Sequence, residues 1–255
     1  MTDNIKQART TVTHQSKSVC IMQPYFFPHV GYFQLANAVE EFWILDCVQY
    51  IRKGWMNRNK LLVSGSKLWF TLPVCKGSRS DLIWQKKLDD AVGATLNKLS
   101  RTMQNSYTRA PNLSSALRLL TGTRDFVNQN TGNLNFANIA EYALRETFKT
   151  LGLKTPLYRT TSLSLPKNLT GQARIIAACQ RIGANRFINP IGGTSLYDSA
   201  AFKQCGIDLV FLKAGFSPYD QGCGNDFSPG LSILDLIAHQ KGSEAKPHLE
   251  KYELY

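Results

Sequence analysis

No stretch of the 255 residues approaches the ~20 consecutive apolar side chains that a membrane-spanning helix needs. The opening MTDNIKQARTTVTHQSKS is polar throughout and lacks the apolar centre of a secretory signal. The expected compartment is therefore the cytoplasm, with no membrane span. The six cysteines (Cys20, Cys47, Cys75, Cys179, Cys205 and Cys223) form no CxxC pair and match no histidine spacing, so neither a zinc site nor a disulfide framework is legible; no metal and no cofactor are expected. GxxxxGK[ST] and GxGxxG are both missing, which removes the P-loop and the dinucleotide fingerprint. Internal repeats and low-complexity linkers are missing too, which favours one domain over two. Acidic side chains are scarce, 18 against 30 Lys+Arg, for a formal charge of +12. Most of that surplus is local: Arg52 to Arg109 holds 12 basic and 3 acidic residues, +9 in one window. Such a face fits an acidic partner: the phosphates of a nucleotide or nucleotide-sugar, a nucleic acid, or an acidic carrier protein. A merely solvated basic surface is the plain alternative.

What is present is enough apolar material for a sizeable core, 43% hydrophobic and 11% aromatic, spread through most of the length. Residues 1–16 have few apolar side chains and no usable period, and read as a flexible lead-in. VCIMQPYFF from Val19 reads as a buried strand stopping at Pro28, Gly31 to Val39 as a helix, and EEFWILDCVQYI as a second strand. KLLVSG and KLWFTLPVC form a hairpin through Gly65 and Ser66. A helix capped by Ser80 or Asp81 carries Leu88, Val92, Leu96, Leu99 and Met103 on one face, and Pro111 limits it. Another runs from about Asn135 to Leu151 with Gly152 as its C-terminal cap. LYRTTSLSL, GQARIIAACQRIGA, RFINPIGG and IDLVFLKA then read strand, helix, strand, strand. The expected fold is a single α/β domain over 17–255, a mixed sheet flanked by helices with a β-rich first third.

Functional side chains are densest in two segments. QPYFFPHVGY puts Pro24 and Pro28 around three aromatics at a strand end, where open α/β sheets place their ligands. DCVQYIRKGWMNRN packs Asp46, Gln49, Asn57, Asn59, Arg52, Lys53, Arg58, Tyr50 and Trp55 into 14 residues, more polar donors than packing requires. An edge hairpin with ordinary ion pairs is the structural alternative. With IMQPYFFPHVGYFQLANAVEEFWILD, VQYIRKGWMNRN, SYTRAP, GANRFINPIGGTSLYD, FSPYDQG and FSPGLSILDLI in order, the chain resembles the WbqC-like proteins from Val19 to Leu236. The resemblance places Gln23, Tyr25, Tyr32, Asp46, Gln49, Lys53, Trp55, Asn57, Arg58, Tyr219 and Asp235 at motif positions. It implies, for surface-polysaccharide or secondary-metabolite biosynthesis, transfer of glycyl or related acyl groups onto amino sugars. One departure stands out: Cys47 occupies a position where the family pattern, DDVQ, has an acid.

Cys47 invites a thiolate-nucleophile reading, but Asp46 adjoins it and no histidine is near in sequence, so a structural cysteine is favoured. His29 is a candidate base or a plain loop histidine; His239 reads as the end of a helix. The expected enzyme moves an activated acyl or aminoacyl group from a carrier or similar donor to an amine or hydroxyl. Asp46 would deprotonate or orient the acceptor, and Gln49, Lys53 and Asn57 would bind the carbonyl oxygen as it becomes negative. Arg58 would hold a phosphate, with Tyr25, Tyr32 and Trp55 as pocket wall and Gln23, His29, Asn189, Tyr219 and Asp235 as further binding residues. A nucleotidylyltransferase is the runner-up, because PHVGY after a strand resembles an HxGH loop with Tyr32 in place of the second histidine. A non-catalytic ligand-binding protein is the third reading, and nucleic acid is not expected as a partner.

Overall fold

Val19, Cys20 and Ile21 are short β-formers flanked by Ser18 and Met22, and the strand they make, β1 (Ser18–Met22), lies at the centre of the sheet. A computed structural model describes residues 17–132, 134–224 and 226–255; the expected lead-in, 1–16, lies outside the described residues. In chain order β1 is followed by α1 (Val30–Asn37), β2 (Glu41–Ile44), a hairpin of β3 (Arg58–Val63) and β4 (Ser66–Thr71), and the helices α2 (Val92–Ser106), α3 (Leu113–Gln129) and α4 (Phe136–Leu151). Then come β5 (Leu157–Arg159), α5 (Gly171–Ile182), β6 (Arg186–Pro190), α6 (Ser199–Gln204), β7 (Asp208–Ala214), α7 (Ile233–His239), α8 (Lys246–Glu250) and β8 (Tyr252–Leu254).

The strand order is β5-β2-β1-β6-β7-β8, parallel except for the last pair, so the sheet is mixed. The chain winds outward from β1 to β2 and β5, then jumps back past β1 to lay down β6 and β7. The reversal falls between β1 and β6, and in such sheets the crevice beyond the carboxyl ends of those strands is the natural ligand site. Side chains alternate across the sheet. Cys20, Phe42, Ile44, Ile188, Val210 and Leu212 join the larger core with α1, the hairpin and α2 to α4; Val19, Ile21, Trp43 and Phe187 join the smaller one with α5 and α6.

Four boundaries differ from the sequence reading. The hairpin turns on Ser64 and Gly65, whose φ angles of 49° and 76° are both left-handed, as a two-residue turn requires; Ser66 is already paired with Val63. The helix expected from Ser80 or Asp81 begins at Val92. Residues 82–88 instead give their backbone to bridges with Gln49, Val74 and Asn135, and Asp89 Oδ1 accepts from Ala91 N (3.0 Å) beside the true start. β2 ends at Ile44, because the following carboxylate turns into a buried cluster, and only the first three residues of LYRTTSLSL are strand. Asn135 does cap α4, accepting from Asn138 N, and Gly152 closes it at φ 71°. No helix among the described residues is long and apolar enough to cross a membrane.

Candidate functional site

The loop leaving β1, residues 23–29, and the polar segment leaving β2 meet at the carboxyl edge of the sheet. Phe26 N donates to Met56 O (2.7 Å), and Ile233 N donates to Pro28 O (2.8 Å). Phe27 O accepts from both Asn59 Nδ2 and Ser232 Oγ, each at 2.8 Å. Phe27 is buried with φ at 43°, a conformation that a bulky side chain adopts only where its surroundings impose it. The two donors on its carbonyl supply that constraint, so β3 and the start of α7 hold the β1 loop in a strained shape.

Three polar groups of this loop retain hydrogen-bonding capacity. Neither the Gln23 amide nor the Tyr25 hydroxyl has a hydrogen bond among the described residues, although both side chains are half-buried. Burial pushes the Tyr25 phenol above its usual value, so it stays a neutral donor. His29 caps α1, and its Nδ1 accepts from Gly31 N (3.0 Å), which puts the ring proton on Nε2. Burial lowers the His29 pKa, so the ring is uncharged at neutral pH. Only glycine fits at Gly31: a Cβ there would lie 2.7 Å from His29 Cε1 and 2.8 Å from Ala214 Cβ. Tyr32 stands behind the loop, buried, stacked on Tyr25 with ring centres 5.7 Å apart, and its hydroxyl donates to Gln23 O (2.9 Å).

Asp46 is fully buried, and four donors reach its two oxygens: Arg159 Nε (2.6 Å) and Thr161 Oγ1 (3.0 Å) on Oδ2, Thr161 N (3.1 Å) and Thr160 Oγ1 (3.2 Å) on Oδ1. Arg159 also donates to Asn138 Oδ1 (2.9 Å), joining β5 to α4. The single Thr160 hydroxyl proton is shared with Ile44 O, which lies nearer at 3.0 Å, so three donors are committed to the carboxylate and Oδ1 keeps capacity to accept. Cys47 Sγ lies 3.4 Å from the same Thr160 Oγ1 and 3.3 Å from Arg174 Nη1. The remaining Arg174 donors go to the carbonyls of Leu169, Pro166 and Lys167, and among the described residues this nearly buried guanidinium has no ion pair with a carboxylate.

The other residues of the segment divide between scaffold and surface. Asn57 is buried; its Nδ2 donates to Leu72 O (2.8 Å) and its backbone carbonyl accepts from Leu72 N (2.7 Å), which fixes the approach to β3. Gln49 donates to Arg79 O at the surface. Lys53 is exposed with φ at 59°, and its carbonyl accepts from Arg58, whose Nε donates to Gly54 O (2.8 Å). Trp55 is 47% exposed and packs against Trp69, centres 5.0 Å apart. Asn189 sits at the end of β6, buried, with Nδ2 donating to Pro190 O (3.1 Å). It is therefore beside β1 at the reversal point, while Tyr219 and Asp235 belong to a separate cluster.

In that cluster the fully buried Asp235 accepts from Tyr107 Oη (2.7 Å) on Oδ1, and from Tyr219 Oη (2.6 Å) and Gln221 Nε2 (3.0 Å) on Oδ2. Tyr107 Oη in turn accepts from Leu62 N (3.0 Å), and His239 Nδ1 lies 2.9 Å from Asp235 O. Burial first, and the Asp235 charge second, hold both phenols far above their usual range. The network ties the 215–231 loop to α7, β3 and the end of α2. Arg159, Arg174, Tyr107 and Gln221 were not singled out from the sequence; SYTRAP and FSPYDQG, as polar segments with tyrosines between turn residues, contain the signal for the last two.

The chain is 28% identical over 235 residues to the uncharacterized protein Rv1507c of Mycobacterium tuberculosis, an alignment that covers 91% of this chain and 97% of that protein. No solved structure matches it. The model of the WbqC-like protein family matches residues 23–246, from the free amide at the end of β1 through the Asp235 cluster to α8, and the chain belongs to that family.

Proposed function

We propose that this protein is a cytoplasmic acyl- or aminoacyltransferase, acting on an amine or hydroxyl acceptor in surface-polysaccharide or secondary-metabolite biosynthesis, with its site at the carboxyl edge of β1, β2 and β6. The observation that carries the reading is the set Gln23, Tyr25 and His29: neutral, half-buried donors with free hydrogen-bonding capacity, held on a strained and doubly clamped loop at the point where the winding reverses. Neutral donors suit a carbonyl oxygen that becomes negative during acyl transfer, because they stabilise the oxyanion without binding the ground state as an ion pair. Lys53 and Arg58, on the neighbouring segment, supply positive charge for a phosphate-bearing donor or a nucleotide-linked acceptor. Asp46 contributes by fixing the end of β2 against β5, which differs from a role as base.

The test follows mass changes of candidate acceptors incubated with aminoacyl thioesters and the protein. An acyl increment on an amino-sugar acceptor is expected, with kcat reduced ~10²-fold or more by Tyr25→Phe or Gln23→Ala, the usual size of effect for removing an oxyanion donor. Tight ligand binding with every donor left intact would instead assign the protein as a binding module. The nucleotidylyltransferase reading is favoured by one observation, that His29 caps α1 directly after β1. Tyr32, however, is buried beneath the loop where the second histidine would act, and pyrophosphate release from a nucleoside triphosphate is the readout that would restore that reading.

A further inference from the structure

The β3–β4 hairpin stands apart from the six-stranded sheet and carries side chains that neither core uses. β4 is exposed along nearly its whole length, with Leu68 48% and Trp69 44% exposed. Lys60 Nζ lies over the rings of both Trp69 (4.5 Å) and Trp55 (5.4 Å), and the Arg58 guanidinium lies over Trp69 (4.8 Å). Between β4 and α2 runs a groove of about 270 Å³, floored by Leu61, Phe70 and Leu99 with Leu68 and Lys98 also lining it. From residue 47 to residue 80 there are seven cations and no carboxylate, and α2 adds Lys98 and Arg101 with no acid. An exposed strand with apolar side chains is an aggregation hazard unless a partner covers it or charge keeps copies apart.

We infer that this hairpin and its groove dock an acidic carrier protein, through an amphipathic helix that sets apolar side chains and a carboxylate for Lys98 in the groove and reaches over the outer edge of β4 to Lys67, whose side chain lies with Trp69 on the other face of the hairpin. Charge complementarity selects an acidic occupant and disfavours a second copy of this basic surface. The choice of protein over single-stranded nucleic acid follows from the rings: stacked bases need open aromatic faces, whereas Trp69 is already overlaid by two cations and packed on Trp55. The groove floor, Leu61, Phe70 and Leu99, is apolar, and Thr71, Thr95, Thr102 and Lys98 also line the groove, so the oligonucleotide arm of the test below decides for or against phosphates. Because Met56 and Asn59, at the root of this hairpin, are bonded to the β1 loop, a partner seated here is next to the proposed site. That the partner is a carrier delivering an acyl donor rests on the function proposed above; that it is an acidic protein rests on the charge and the groove.

The test titrates the full chain with a fluorescently labelled acidic acyl carrier protein, loaded and unloaded, and separately with a single-stranded oligothymidylate. Affinity for the carrier is expected to fall about tenfold or more between 50 and 500 mM salt. Lys67→Glu with Lys98→Glu should weaken it a further ~10-fold or more, and Lys67→Gln with Lys98→Gln should fall between, while circular dichroism and melting stay as in the parent. Absence of carrier binding at low salt, or equal binding by the reversed variant, overturns the inference. Oligonucleotide binding that is tighter and sensitive to the same two lysines overturns it in favour of nucleic acid. Transfer from a small aminoacyl thioester, which needs no docking, separates the two proposals: turnover there with no carrier binding leaves the function standing, and carrier binding with no turnover from any donor leaves the docking standing.

Discussion

Burial decides what a carboxylate can do, and Asp46 illustrates it. With Arg159 and Thr161 on its oxygens, its removal takes the nearer of two carboxylates from the half-buried Arg159, the other being Glu141 at 3.6 Å. Asp46→Ala should therefore lower stability by about 2 kcal/mol, read as a shift in the urea midpoint, so that loss of activity in this variant reports folding as well as chemistry. Cys47 gives the reverse case. At a position where the sequence resemblance implies an acid, this chain sets a thiol 3.3 Å from the Arg174 guanidinium. Cys47→Asp should raise stability by about 1 kcal/mol by returning a carboxylate to a cation that otherwise sees only carbonyls and sulfur; a lower midpoint would show that the pocket cannot accept the acid. Both residues were conspicuous in the sequence as polar groups after a strand. Their partners were not, because Arg159, Thr160, Thr161 and Arg174 lie more than a hundred residues away, and neither spacing nor composition reports which distant donor will close on a given oxygen.

At the scale of elements, the strained β1 loop depends on two donors from different parts of the fold. Asn59→Ala and Ser232→Ala should each cost about 1 kcal/mol, and the double variant should cost less than the sum if relieving one bond already lets Phe27 relax toward negative φ; a strictly additive double variant would refute the shared clamp. The elements that were legible before the fold was known share strong local signals. α4 has an apolar stripe between an asparagine cap and a glycine stop, and the hairpin has alternating pattern around Ser-Gly. The buried face of α3, Ala116, Leu119, Leu120 and Val127, has helical spacing too, but it follows Pro111, which signals the end of one helix as readily as the approach to another. α6, α8 and β8 have three to six residues each and take their stability from neighbours, not from local pattern. The 82–88 stretch shows the limit most directly: Leu88 fits the stripe that continues into α2, but three tertiary bridges and a 3₁₀ turn at Ile83–Gln85 claim the backbone.

For the whole molecule, pH should act at both ends of the range. Burial holds His29 below its ordinary value, so folding favours the neutral ring; that contribution is present above about pH 6.5 and is lost as pH falls. Tyr107 and Tyr219 are held far above an ordinary phenol, and Tyr50 is raised to about 12, so their contribution is complete below about pH 10 and is lost above it. Urea midpoints should be level with respect to these groups from roughly pH 7 to 9.5, then fall by about 1.4 kcal/mol per pH unit for each of the two Asp235-bound tyrosines. A midpoint unchanged at pH 11 would mean that those phenols are not buried as described. The strand order has a further consequence during synthesis. Among the described residues β1 is the first strand made and a central one, yet its neighbour β6 follows only after roughly 160 more residues, about 10 to 30 s at usual elongation rates. Throughout that interval the nascent chain presents one open edge of an apolar strand, and release of any fragment ending before Arg186 would leave that edge permanently unpaired.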